Sequence, residues 1–182
     1  MASEIKTIPL GMVNCYLVKM DGDYVLIDSG YSRNRAELEQ KLARSGCRPG
    51  NLRLIFITHG DPDHTGNAAY LRKQFGAKIA MNKGDAAMVE RGDMTAGRHA
   101  NAVVKALVGT LSSAFGLKKT DRFKADLYIE DGWNFPGYGF EATAVQTPGH
   151  SAGSMSVLTA TCFAETCSRI QRNPVSALST SN

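Results

Sequence analysis

Apolar residues in this chain are grouped with two different periods, and the changes of period mark out its elements. Ile5 to Ile8, Asn14-Cys15-Tyr16-Leu17-Val18 and Tyr24-Val25-Leu26-Ile27 are short extended runs, with Asp21-Gly22-Asp23 as turn residues before the third. Such runs between turn residues predict a β-meander. The third run stops abruptly at Asp28-Ser29-Gly30. From about Asn34 to Arg44 the spacing becomes helical, with Ala36, Leu38, Leu42 and Ala43 on one side and Gly46 placed to end the helix. Leu54-Ile55-Phe56-Ile57 shows no alternation at all, which predicts a strand buried on both faces. It leads straight into Thr58-His59-Gly60-Asp61-Pro62-Asp63-His64. A second helix is expected next, with Thr65 as its N-cap, an apolar side of Ala68, Ala69, Leu71 and Phe75, and Gly76 at its C-terminal end. Lys78 to Met81 returns to strand. This alternation of strands and helices calls for an α/β sandwich.

Residues 83–117 are less tightly patterned. One amphipathic face, built from Ala102, Val103, Ala106, Leu107 and Leu111, predicts a helical insert. Strands are expected again at Leu127-Tyr128-Ile129, at Glu141 to Gln146 and at Met155 to Leu158, the last two separated by the glycine-rich segment Thr147 to Ser154. A domain over 1–158 and an atypical tail over 159–182 follow from this reading.

Bulk properties narrow the field only modestly. The 182 residues suffice for one domain with a substantial core. The 43% hydrophobic and 21% charged fractions are those of an ordinary globular chain. A net charge of +4 without a dense Lys/Arg block argues against a nucleic-acid partner. No apolar run is long enough to span a membrane, and the first ten residues lack a secretory layout, so a cytoplasmic location is expected. Cys15, Cys47, Cys162 and Cys167 contain no C-x-x-C pair and read as reduced thiols.

The chemistry is concentrated in His59-Gly60-Asp61-Pro62-Asp63-His64, where four potential ligands occupy six residues at the end of a buried strand. Turn formation and helix capping need fewer such groups. A third histidine, His150, follows another strand in a glycine-rich loop, whereas His99 has no ligand-like neighbours and reads as a surface residue. A mixed nitrogen and oxygen donor set suits Zn²⁺, and also Fe or Mn, in a site that keeps a position open for water. Pro62 and Gly60 are expected to keep the loop from becoming helix, so that its side chains fan out.

Thr58-His59-Gly60-Asp61-Pro62-Asp63-His64-Thr65-Gly66-Asn67 resembles the signature loop of the metallo-β-lactamase superfamily, which usually reads His-x-His-x-Asp-His. Pro148-Gly149-His150-Ser151-Ala152-Gly153-Ser154 is similar to its next ligand loop, and Asp28-Ser29-Gly30 to the motif ending an early strand. The resemblance implies a four-layer αβ/βα sandwich, incomplete at the C-terminus, with its site between two sheets. It implies one or two zinc ions, a first metal served by His59, Asp61 and His150, and a second by Asp63 and His64. Asp63 is the catalytic assignment and Asp28 orients a ligand. The implied activity is hydrolysis of a thioester, ester, lactone or phosphoester in a small molecule by metal-activated water. The alternatives are an iron-dependent redox protein, such as a sulfur dioxygenase or a diiron oxygen reductase, and a catalytically dead product.

Two departures stand out. Asp61 occupies the place of the family's second histidine, and a harder carboxylate ligand tilts the site toward iron or manganese. The bridging aspartate and the later histidine that the family carries after the Pro-Gly-His loop have no counterpart beyond Leu158. Shifting the frame by two bases from the third base of the Ala160 codon permits a segment containing Phe-Cys-Gly-Asp-Leu, which looks like the missing strand. A change of reading frame near Ala160 is therefore expected. Sequencing the coding DNA tests it: stop codons or unrelated residues in the shifted frame reject the idea.

Overall fold

The computed structural model describes residues 4–96, 116–135 and 137–159. Its first three strands, β1 (Glu4–Leu10), β2 (Val13–Lys19) and β3 (Tyr24–Ile27), form the expected antiparallel meander. Beyond them β4 (Leu52–Phe56), β5 (Lys78–Asn82) and β6 (Leu127–Ile129) add in parallel, giving one six-stranded sheet in the order β1 to β6. A second, three-stranded antiparallel sheet consists of β7 (Trp133–Asn134), β8 (Thr143–Gln146) and β9 (Met155–Leu158).

The absence of alternation in β3 and β4 has the predicted physical cause. Leu26, Ile55 and Ile57 face a core shared with Leu38 and Leu42 of α1 (Arg35–Arg44) and with Leu71 and Phe75 from the helix after β4. Val25, Ile27, Leu54 and Phe56 point the other way, into a core with Ala144, Met155 and Val157 of the second sheet and with Phe135 and Phe140 between β7 and β8. Helices therefore cover one face of the six-stranded sheet and the small sheet covers the other. Three of the four layers expected of the sandwich lie among the described residues. Each strand must be apolar on both faces, because neither face meets water.

The segment after β4 differs from the expectation in two ways. Pro62 does not prevent helix but starts one: it is the first residue of the short α2 (Pro62–Thr65), where its missing N–H costs nothing. Thr65 consequently closes α2 and is no N-cap; its hydroxyl donates back to the Asp61 carbonyl. The following helix, α3 (Ala68–Phe75), begins after Asn67 and ends at Gly76 in the left-handed conformation. The stretch expected as a helical insert opens with a 3-10 turn at Lys83–Asp85 and α4 (Ala86–Arg91). Its residues 97–115, with His99 and the proposed amphipathic face, lie outside the described residues, as do Cys162, Cys167 and the tail from Ala160. Cys15 and Cys47 are buried, and burial pushes the Cys47 thiol up to about 12.

At the break between α2 and α3 the backbone packs closely against the loop after β3. A Cβ on Gly66 would fall 2.8 Å from the carbonyl oxygens of Gly30 and Pro62 and would also clash with the Ser32 amide nitrogen. None of these backbone atoms can give way cheaply. Gly66→Ala should destabilise the fold by about 3 kcal/mol, the upper range for overpacking. Gly22→Ala, at φ 82° in open space, should cost about 1 kcal/mol. Urea titration of both variants checks the order, and equal midpoints would refute the packing argument.

Candidate metal centre

The parallel strands β3, β4 and β5 all end at the same edge of the large sheet, the edge at which open α/β sheets place their ligands. Asp28 follows β3, and Thr58 and His59 follow β4. Asp28 is buried and holds φ 59°, a left-handed conformation that costs a non-glycine residue on the order of 1–3 kcal/mol. Its carboxylate meets three donors from the neighbouring strand and α2. Oδ1 accepts the Thr58 amide at 2.8 Å, and Oδ2 accepts both the Thr58 hydroxyl at 2.8 Å and His64 Nδ1 at 2.7 Å. Burial would raise the Asp28 carboxyl; the facing His64 imidazole above all, with His59 and the Thr58 amide, outweighs it and holds the group below its ordinary value.

These bonds fix two imidazole tautomers. With its one proton given to Asp28, the Thr58 hydroxyl can only accept from His59 Nδ1, 3.0 Å away. In the neutral rings both His59 and His64 therefore carry hydrogen on Nδ1 and a lone pair on Nε2. His59 Nε2 lies 3.5 Å from Asp61 Oδ2, and His64 Nε2 lies 3.6 Å from Asp63 Oδ2. Acceptor thus faces acceptor twice, an arrangement that a cation between them relieves.

His150 reaches this edge from the β8–β9 loop of the second sheet. Its Nε2 is 2.7 Å from Asp61 Oδ2, and its ring meets that of His59 edge-on at a centroid distance of 4.8 Å. His59, Asp61 and His150 each offer a ligand atom within 4.8 Å of the others. Ligands on a tetrahedron with bonds near 2.0 Å are spaced at roughly 3.3 Å, so small side-chain movements bring this trio to coordinating geometry. The His64 ring lies 4.0 Å from His59 by centroids, with Asp63 beside it. All five sequence-predicted residues thus meet at one edge, with His59, Asp61 and His150 as the compact group and Asp63 and His64 adjacent. His150 is the most open, its side chain 60% exposed.

Two groups escaped the sequence reading. Asp85 is fully buried where the 3-10 turn meets α4, and it accepts bonds from Gly60, Ser151 and Gly153. The only sequence signal was an acidic residue shortly after a parallel strand, at the same edge as the ligands. Tyr31 lies at the rim; burial first, then the Asp63 and Asp61 carboxylates, push its phenol up against the opposing effect of Arg33. It remains a neutral donor there. Beside it, a cavity of about 190 Å³ is lined by Tyr31, Arg33, Pro62 and Lys118.

Comparison with known proteins shows the family. The profile of the metallo-beta-lactamase superfamily matches residues 8–161, and the chain belongs to that superfamily. It is 27% identical over 158 residues to the hydroxyacylglutathione hydrolase GloC of Haemophilus influenzae, covering 85% of this chain and 65% of that protein. It is 39% identical over 72 residues to a hydroxyacylglutathione hydrolase of Anaeromyxobacter dehalogenans, covering 40% of this chain and 26% of that one. The subclass B3 metallo-beta-lactamase BJP-1 of Bradyrhizobium japonicum shares the fold with a TM-score of 0.67 at 24% identity, over 85% of this chain and 53% of that one. FEZ-1 of Legionella gormanii does so with a TM-score of 0.65 at 21% identity, over 79% and 50%. The chain spans 65% or less of the length of each of these relatives. No helix among the described residues is long and apolar enough to cross a membrane.

Removing the Asp28 carboxylate strands three buried donors at once. Asp28→Ala should lower stability by about 2–4 kcal/mol, as unsatisfied buried groups do. Denaturant unfolding of the metal-free chain measures it; a loss below about 1 kcal/mol would show that these donors find other partners.

Proposed function

We propose that this edge binds one or two divalent ions and hydrolyses a thioester of the hydroxyacylglutathione class. The observation that carries the reading is the convergence of His59, Asp61 and His150 from two sheets, with the His59 and His64 lone pairs turned toward carboxylates. Zinc is the leading ion, with iron and manganese as alternatives that the harder Asp61 carboxylate favours. A metal in such a site supplies water of lowered pKa and polarises the carbonyl under attack.

The rest of the chemistry falls to the chain. Asp63, partly exposed beside His64, accepts the proton of the attacking water. A C–O bond forms, the C–S bond breaks, and the proton passes to the departing thiolate. Arg33 and Lys118 line the adjoining cavity and suit a substrate that carries carboxylates, while the Tyr31 hydroxyl can donate to its carbonyl. The support for a thioester is the naming of the two curated relatives together with this cationic rim.

Elemental analysis before and after chelation, combined with a thiol-release assay on a hydroxyacylglutathione, tests the proposal. Between one and two zinc ions per chain and thiol release abolished by chelator are expected. His59→Ala or His64→Ala should lower metal occupancy, and His99→Ala should not. Iron with oxygen consumption would replace hydrolysis by redox chemistry, and equal occupancy in all three variants would overturn the site.

A further inference from the structure

Asp85 carries no evident local role, although its surroundings are unusually specific. It occupies the N-cap position of α4, where an aspartate ordinarily accepts an amide from the first turn, yet its side chain makes no cap bond. The carboxylate turns instead toward the two loops that bear the ligand trio. Oδ2 accepts the Gly60 amide at 2.9 Å and the Ser151 hydroxyl at 2.6 Å; Oδ1 accepts the Gly153 amide at 2.9 Å. Gly60 lies between His59 and Asp61, and Ser151 and Gly153 lie just after His150. One buried carboxylate is therefore bonded to both loops.

The surrounding backbone is shaped to admit that carboxylate and little else. A Cβ on Gly153 would come within 2.7 Å of Asp85 Cγ, and one on Gly84 within 2.9 Å of the Gly153 amide nitrogen. A Cβ on Gly60 would meet Met88 at 2.9 Å and Asp85 Cβ at 3.1 Å. Ser154 extends the network, its hydroxyl within 2.8 Å of Ser151 Oγ and accepting the Ser151 amide at 3.1 Å. Burying a carboxylate fully is costly unless donors satisfy it, and here the donors come from the loops whose relative position decides whether His59, Asp61 and His150 meet.

We propose that Asp85 is the positioning residue of the His59–Asp61–His150 trio: it touches none of the three, and it sets metal affinity by clamping their loops at coordinating separation. The proposal rests on the metal-site reading above. Groups that orient ligands from behind typically account for 10–100-fold in metal affinity. Asp85→Asn keeps the shape but places an amide N–H₂ against the Gly60 or the Gly153 amide, so at least one bond of the clamp is lost.

The test compares zinc affinity, measured by competition with a chromogenic chelator, across Asp85→Asn, Ser151→Ala, Leu42→Ala and His59→Ala. Leu42 of α1 is buried in the core on the helix-covered face of the large sheet, so Leu42→Ala serves as a variant destabilised elsewhere. The thermal midpoint of each metal-free variant is recorded alongside. Asp85→Asn should lose 10–100-fold in affinity and Ser151→Ala roughly fivefold, the value of one hydrogen bond, while Leu42→Ala binds as the unaltered chain does. If Asp85→Asn fails to fold, Ser151→Ala still decides, because unaltered affinity there rejects the clamp. Unaltered affinity in Asp85→Asn, or an equal loss in Leu42→Ala, overturns the proposal while leaving the site intact. Zinc retained by His59→Ala instead overturns the metal-site reading, and this inference with it.

Discussion

The turn after β3 and the imidazoles beside it depend on one buried negative charge being fully satisfied. The Asp28 carboxylate sits in low dielectric with two donors from Thr58 and one from His64. A buried carboxylate is tolerable only with such partners, and the partners are thereby fixed in orientation. The Ser29 hydroxyl and amide, both bonded to the His64 carbonyl, secure α2 to the same turn. Asn67 reinforces it by donating to the Ser29 and Tyr31 carbonyls. The left-handed backbone at Asp28 persists because so many bonds over-determine it.

Much of this was legible in the sequence, and the reason differs by element. Tyr24–Ile27, Leu127–Ile129 and Met155–Leu158 emerge with the bounds expected of them, because apolar runs between turn residues constrain a strand from both ends. The candidate ligands stood out because a density of acidic and imidazole groups after a buried strand has few structural explanations. The two-residue β7 was not visible, since Trp133–Asn134 is too short to show a period and exists through pairing with β8. The extra short helix α2 before Gly66 was equally hidden. So was the need for glycine at 66, where the loop after β3, more than thirty positions away, passes so close that no side chain fits.

Asp85 shows the same limit at the site itself. Its partners are 25, 66 and 68 residues distant, so no local pattern distinguishes it from an ordinary helix cap. Asp61 is the opposite case. Its identity was readable as a departure from the family pattern, and the structure gives that departure a geometric setting: one carboxylate stands between His59 and His150, where an imidazole would offer a single nitrogen. A single oxygen, Oδ2, approaches both rings, 3.5 Å from His59 Nε2 and 2.7 Å from His150 Nε2.

The placement of His150 on the second sheet has a mechanical meaning. Asp61 and His150 are 89 residues apart and belong to different layers, joined nearby by the Met155 amide donating to the Thr58 carbonyl. Any ion gripped by both loops links segments 89 residues apart in the folded chain only, so it stabilises the fold by its own binding free energy. Docking of the small sheet and occupancy of the edge are then one equilibrium observed from two ends. Whatever holds the layers together raises the grip on the ion, and the ion in turn tightens the layers.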